Sequence, residues 1–326
     1  MSIGIDIVIK SIVFSMVCLQ QTTKGGSVMN IAVLIMAGGR GERFWPKSRK
    51  ALPKQFLSLG NKKTTLIQQT VERILPMVSI DKIFISTNTN YKALVQEQLP
   101  SIPESNILCE PVSRNTAPCI GFGAVSIRKK FGDSLMIVLP SDHSITNNDI
   151  FLSTLNNACI IAESGDRLVT LGITPHSPNI GYGYIKYLKD KEYMINDAYA
   201  VECFVEKPDL QTAKRYVENG GYLWNSGIFV WKTSTILDNM ARFQPKNYEL
   251  LKKIEDMIGT ETGESEVRDA FQEMESVSID YGILEKAHSI YTLPSSFGWD
   301  DVGSWLAIER LSERDDKDNI LQGDVI

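Results

Sequence analysis

The chain has 326 residues, 43% of them apolar, and a formal net charge of −5. That length accommodates one large α/β domain or two ordinary ones, and the acidic balance excludes a general nucleic-acid binder, which carries a basic face. The five cysteines (Cys18, Cys109, Cys119, Cys159 and Cys203) are odd in number and none has C-x-x-C spacing, so neither a disulfide framework nor a zinc site is indicated, and a reducing, cytoplasmic compartment is expected.

Residues 1–28 stand apart. The apolar stretch 3–19 carries Asp6 and Lys10, and its uncharged part, SIVFSMVCL, is far short of a membrane span of roughly 20 residues. It lacks the basic start and small-residue cleavage site of a signal peptide. Met29 directly precedes the first strand, and Lys24-Gly25-Gly26 can be encoded by a purine-rich ribosome-binding sequence. The expectation is that translation begins at Met29, that 1–28 is a non-native or disordered extension, and that no membrane is engaged.

From there the elements alternate. The run IAVLIM (31–36), followed by Gly38, Gly39 and Gly41, has the pattern of a buried parallel strand ending in a loop. Apolar spacing predicts a helix over 65–75, a strand over 82–86, a helix over 117–130, a buried strand over 135–139, a helix over 150–163 and a strand over 167–172. Alternation of this kind predicts an α/β fold: a Rossmann-like, mostly parallel sheet flanked by helices. After Gly181 the segments YGYIKYL, AVECFVEK and GIFVWK alternate more strongly and carry aromatics. They predict additional antiparallel or mixed strands in the second half.

In open α/β sheets ligands sit at the carboxyl ends of the strands, and four loops stand out there. In AGGRGERFWPKSRKALPKQF, six cations lie between Arg40 and Lys54, with Glu42 as the only acid among them. Glycines let backbone N–H groups approach phosphate oxygens, and Arg43, Arg49 and Lys54 add charge. The pattern is neither a P-loop nor the dinucleotide G-x-G-x-x-G, because position 44 is Phe. The second loop, EPVSRNTAP, sets Glu110 before a helix that Asn115 or Thr116 could simply cap, with Pro118 in the first turn. The third, LPSDH, ends a buried strand with Asp142, which is suited to Mg²⁺ beside phosphates but also to an ordinary turn. The fourth, FGWDDVGSW, offers Asp300 and Asp301 to a hard cation, or Asp301 or Ser304 as the cap of the helix WLAIERL.

The ordered set AGG-x-G-x-R-x-W-P-x-S-R…PKQF, EP…RNTAP, LPSDH, GYGYI, FVEKPD, WNSGIF, SIDYGILEK and FGWDDVGSW resembles the mannose-1-phosphate guanylyltransferases of the sugar-nucleotidyltransferase family, from about Met29 onward. The resemblance implies a nucleotidyltransferase fold of the glycosyltransferase-A-like type, Mg²⁺ as cofactor, and GTP and mannose 1-phosphate as substrates. It makes Arg43 and Lys54 the phosphate-gripping cations and Asp142 and Asp301 the Mg²⁺ carboxylates. Lys207 is implied to hold the sugar phosphate, and Gly183, Glu206, Asn225 and Ser226 to contact sugar hydroxyls. Gly38, Gly39 and Gly41 fall on the nucleotide side. There Glu110 is expected to read the guanine edge, and backbone near Asn115 and Thr116 to contact the base. Asp280 is a secondary polar candidate. No histidine is assigned.

Two departures from the family pattern, Glu42 for Thr and Ser113 for Gly, remove no charged ligand. A catalytic domain over 29–310 is expected, with 311–326 as the start of a C-terminal β segment that the family continues. A homodimer is the candidate assembly. The alternatives are a nucleotidyltransferase for another base or sugar, and a catalytically silent regulatory paralogue.

Overall fold

A computed structural model describes residues 29–39, 44–60, 63–312 and 314–320. The expected extension at 1–28 lies outside the described residues, as do Gly41, Glu42, Arg43 and the stretch 321–326.

The strands are β1 (Ile31–Met36), β2 (Ile83–Asn88), β3 (Ile107–Glu110), β4 (Leu135–Pro140), β5 (Ser144–Ile145), β6 (Leu168–Ile173), β7 (Tyr184–Tyr187), β8 (Met194–Ile195), β9 (Ala198–Val205), β10 (Tyr222–Lys232), β11 (Ile290–Ser295) and β12 (Trp299–Asp300). The α-helices are α1 (Leu66–Ile74), α2 (Lys92–Gln98), α3 (Thr116–Phe131), α4 (Asn148–Glu163), α5 (Leu210–Asn219), α6 (Thr233–Phe243), α7 (Pro245–Met257), α8 (Gly263–Glu273) and α9 (Trp305–Leu311).

Among the described residues one sheet of ten strands runs in the order β3-β2-β1-β4-β10-β6-β11-β9-β7, with β8 on β9. Strands β1 to β4 are mutually parallel, and β6 pairs in parallel with β11. Only β9 and β10 run against the rest. They contain AVECFV, the start of the AVECFVEK segment, and GIFVWK, whose alternation marked them in the sequence. Strand β10 also pairs with β7, so β6, β11, β9, β7 and β10 close into a ring beside the open parallel half. The second half is therefore threaded into the first, since β10 lies between β4 and β6.

The continuous apolar runs are explained by cover on both faces. On β1, Val33 and Ile35 pack with Ile67 and Val71 of α1, Val95 of α2 and Phe151 of α4. Ala32 and Leu34 face the other way, into α3, α6, α7 and α8. A strand buried on both sides cannot alternate polar with apolar. Two local features then aim loops at one end of the sheet. Asn115 caps α3, its side chain accepting from Thr116 N at 2.8 Å. Arg114 donates to the carbonyls of Phe271 (2.7 Å) and Gln272, which pins the EPVSRNTAP loop to the end of α8.

Candidate active site

The loops after β1, β3 and β4 meet the ring of the second half around one cleft of about 460 Å³. Every described residue to which the family resemblance gives a role lines this cleft except Lys54, which reaches two of its loops.

The glycine loop is held from below. Gln55 Nε2 donates to the carbonyls of Ala37 (2.8 Å) and Gly39 (3.0 Å). PKQF thus divides its labour: Lys54 goes to the carboxylate loops, Gln55 to the glycine loop, and Phe56 into the core, 2% exposed. Arg49 and Lys50 stay exposed on the surface. Beside Gly38, Glu110 is buried and its Oε1 accepts from Ser86 Oγ at 2.8 Å. Burial pushes its carboxyl up, and hydrogen bonds from Ser86 and Cys119 partly offset that. Cys119 is buried against it, and burial together with the Glu110 charge drives the thiol upward, so it acts as a neutral donor rather than a nucleophile. Asn115 and Thr116 border the same cleft, while their polar side chains serve the fold: Asn115 caps α3, and Thr116 Oγ1 accepts from Ile279 N at 2.8 Å.

At the centre the Lys54 ammonium bridges two loops, 2.8 Å from Asp142 Oδ2 and 2.6 Å from the carbonyl of Asp301. Burial would raise the Asp142 carboxyl, but the charges of Lys54 and His143 and the Lys54 hydrogen bond outweigh it and hold it below the usual range. His143 is pushed down to about 4, chiefly by burial. Its Nδ1 accepts from Trp299 Nε1 at 3.1 Å, so the ring is neutral and carries its proton on Nε2. The adjacent acids of FGWDDVGSW separate. Asp300 Oδ2 is held by Arg310 at 2.8 Å, whereas Asp301 lines the cleft and its Oδ1 accepts from Tyr182 OH at 2.7 Å. Between Asp301 and Gly303, Val302 has φ +49°, a strained conformation for a β-branched residue and one that concentrates at functional sites. Ser304 occupies the N-cap position of α9 without a side-chain cap.

On the far side Glu206 and Lys207 form a pair at 2.9 Å, with Lys207 itself at φ +46°. A Cβ on Gly183 would come within 2.5 Å of Glu206 Oε2, so the missing side chain is what admits that carboxylate. Strand β10 bulges between Asn225 and Phe229, with Gly227 at φ +70°. The bulge turns Asn225 toward the cleft: its Nδ2 donates to Asp280 Oδ1 at 2.8 Å and its Oδ1 accepts from Gly227 N at 3.2 Å. Ser226 borders the cleft, but its hydroxyl proton is committed to the Leu171 carbonyl at 2.5 Å. Asp280 begins a π-turn, and its carboxyl is raised to about 6 by burial first and the Glu206 charge second.

Sequence reasoning passed over Gln55, Ser86, Cys119, His143, Tyr182 and Trp299 as site residues. Gln55, His143, Tyr182 and Trp299 lay inside quoted motifs, PKQF, LPSDH, GYGYI and FGWDDVGSW, but nothing local marked Ser86 or Cys119.

Comparison with known proteins gives the same frame. Residues 32–318 match the family model described as Nucleotidyl transferase. The xanthan biosynthesis protein XanB of Xanthomonas campestris pv. campestris (strain ATCC 33913) is 39% identical over 305 residues, covering 91% of this chain and 62% of the relative. A mannose-1-phosphate guanylyltransferase of Sinorhizobium fredii (strain NGR234) is 38% identical over 298 residues, covering 89% and 57%. The chain thus spans about three-fifths of the length of these curated relatives. A solved structure from Thermus thermophilus, described as a mannose-1-phosphate geranyltransferase, is 33% identical with a TM-score of 0.77, covering 87% of this chain and 79% of that one. A match that runs from β1 to beyond α9, over a cleft at the carboxyl ends of parallel strands, leads to one conclusion: the chain belongs to the nucleotidyl transferase family.

Proposed function

We propose that the chain is a mannose-1-phosphate guanylyltransferase, an enzyme that transfers a guanylyl group from GTP to α-D-mannose 1-phosphate and releases GDP-mannose and pyrophosphate. The observation that carries this reading is the single cleft that joins the glycine loop and Glu110 to Asp142 and Asp301, and these to Glu206, Lys207 and Asn225. The names of curated relatives support the choice of base and sugar. Among the described residues four cysteines are free thiols and no helix is long and apolar enough to cross a membrane; the free thiols fit the cytoplasmic compartment we propose.

A phosphate oxygen of the sugar phosphate attacks the α-phosphorus in line. The new P–O bond forms as the bond to the bridging oxygen of the β-phosphate breaks, and pyrophosphate departs. No protein nucleophile is needed; the protein aligns two anions and stabilises charge. In this reading the backbone at Gly38 and Gly39 faces the phosphates, and Lys54 brings an ammonium to the Asp142 and Asp301 loops that border the cleft. By resemblance, Gly41 and Arg43 act beside them. Lys207 holds the sugar phosphate, while Glu206 and Asn225 accept and donate to sugar hydroxyls.

The donor set fits Mg²⁺. Asp142 is held ionised by the charges of Lys54 and His143, and Asp301 would be the second hard oxygen ligand. Two carboxylates are the complement Mg²⁺ uses when substrate phosphates and water complete its shell. Bound there, the ion would neutralise phosphate charge. The convergence of Lys54, Asp142, Asp301 and Lys207 on one cleft favours an active enzyme over a silent paralogue. Pyrophosphate release measured across GTP, ATP, UTP and dTTP with several sugar 1-phosphates tests the assignment; the reading requires GTP with mannose 1-phosphate to give the highest kcat/KM.

Two consequences concern the sugar side. In Gly183→Ala the new methyl displaces the Glu206 carboxylate, the end of a flexible side chain, so the fold tolerates it. The KM for mannose 1-phosphate is expected to rise about tenfold, the cost of one lost hydrogen bond to a charged group, with the melting temperature unchanged. Asp280→Asn has the opposite balance. A carboxyl raised from 3.8 to about 6 in the folded chain stabilises it fully below pH 3.8, and that contribution is lost as pH rises through 6. The groups facing it are Glu206, Lys207 and Asn225. The amide variant should therefore be more stable than the parent at pH 8, by about 2–3 kcal/mol, and equal to it near pH 4, as measured by denaturant unfolding. Its KM for mannose 1-phosphate should rise, because the oxygen that orients Asn225 no longer carries charge.

A further inference from the structure

We propose that Tyr182 is a positioning residue for Asp301, tying the loop that carries Gly183 to the carboxylate that holds the cation. The proposal rests on the reading of Asp301 as a cation ligand given above.

The geometry is specific. Tyr182 OH donates to Asp301 Oδ1 at 2.7 Å across 119 residues of sequence. Gly303 N donates to the same oxygen at 3.1 Å. Two donors on Oδ1 orient the carboxylate and leave Oδ2 as the oxygen available to a cation. A ligand oxygen fixed in this way needs no reordering when the ion arrives, and outer hydrogen bonds of this kind tune metal affinity. The strain at Val302, φ +49°, lies in the same turn and is tolerated only where surrounding contacts determine it.

The ring of Tyr182 is as informative as its hydroxyl. It packs edge-on against Trp224, with centroids 4.9 Å apart, and against Trp299 at 5.2 Å. Trp224 precedes Asn225 on β10. Trp299 leads into Asp300–Asp301 and donates to His143, which follows Asp142. Tyr182 therefore touches the strand that orients Asn225 and the loop that bears Asp301, and it is linked to the Asp142 loop through Trp299 and His143, while its chain neighbour Gly183 makes room for Glu206.

Tyr182→Phe removes the hydroxyl and keeps both ring contacts. Mn²⁺ serves as the probe, titrated into the full chain and followed by the electron paramagnetic resonance signal of the free ion. Affinity is expected to fall about tenfold, and the Mg²⁺ concentration for half-maximal turnover to rise by a similar factor. The melting temperature should stay near the parent's. In the double variant Tyr182→Phe with Asp301→Asn, the tyrosine change should add nothing further, as required if it acts through Asp301. If Tyr182→Phe binds Mn²⁺ like the parent while Asp301→Asn does not, the positioning role is overturned and the cation assignment stands. If Asp301→Asn also binds like the parent, the cation assignment itself falls, and this proposal falls with it.

Discussion

Asp142→Asn is expected to lower kcat by about 10²–10³-fold at saturating GTP and Mg²⁺, the scale of losing one preorganised electrostatic contact to the reacting centre. The substitution preserves shape and removes charge, and that charge has two duties in the cleft. In the proposed reading it faces the phosphates with the cation, and it holds the Lys54 ammonium at 2.8 Å. Lys54 has only 7% of its side chain exposed, and in the variant it keeps the Asp301 carbonyl as acceptor. Stability should therefore drop by only about 1–3 kcal/mol and the chain should still fold, as circular dichroism melting will show. Because phosphate charge redistributes on the way to the transition state, the deficit belongs in kcat rather than in the KM for GTP. Lys54→Met approaches the same contact from the other side and should reproduce most of the loss. Pyrophosphate release by single turnover separates chemistry from product release. A kcat within tenfold of the parent in both variants would remove Asp142 and Lys54 from the reacting centre.

The local grammar of the chain was legible because it is set by period and turn chemistry. IAVLIM became β1 with its expected bounds, and the expected helix over 117–130 became α3, Thr116–Phe131. The more strongly alternating segments after Gly181 did contain the two reversed strands. What the sequence hid is long-range. Nothing near GIFVWK announces that β10 enters between β4 and β6, a placement decided by how the sheet fills. The two acids of WDD look equivalent in sequence; Arg310, ten residues on, claims Asp300 and leaves Asp301 to the cleft. Ser226 sits in a motif that suggests a sugar contact, yet its hydroxyl is spent on a buried carbonyl, because the β10 bulge leaves that carbonyl in reach. The neutrality of His143 depends on burial and on a tryptophan 156 residues away, neither of which its neighbours in sequence disclose. Motif order thus located the cleft, while the division of roles inside it belongs to topology.

Glu110→Gln is expected to erode the preference for GTP by roughly 10- to 100-fold relative to ATP and UTP. Guanine presents N1–H and N2–H₂ as adjacent donors, and a carboxylate accepts from both in a charge-assisted pair. Adenine places an acceptor at N1, and uracil a single imide N–H between two carbonyls, so a carboxylate would be left partly unpaired, at a cost of about 1–3 kcal/mol. The surroundings of Glu110 suit that task. It lines the cleft beside Gly38, where a Cβ would lie 3.9 Å from Oε1, and Ser86 and Cys119 hold it by hydrogen bonds from behind. Burial raises its carboxyl from the ordinary 4.5, and paired donors on guanine would favour the ionised form that recognition needs. An amide can accept on one atom only and offers a donor to guanine's own donors, so it suits uracil better. The competing view is that Glu110 only anchors the turn after β3 and the backbone near Asn115 selects the base. Kinetics with GTP, ITP, ATP and UTP decide between them. ITP keeps N1–H but lacks the amino group, so the parent should discriminate GTP from ITP and the Gln variant should do so far less. A folded Glu110→Gln protein that keeps the parent's GTP-to-ITP ratio would assign base choice to the backbone and return Glu110 to a structural role.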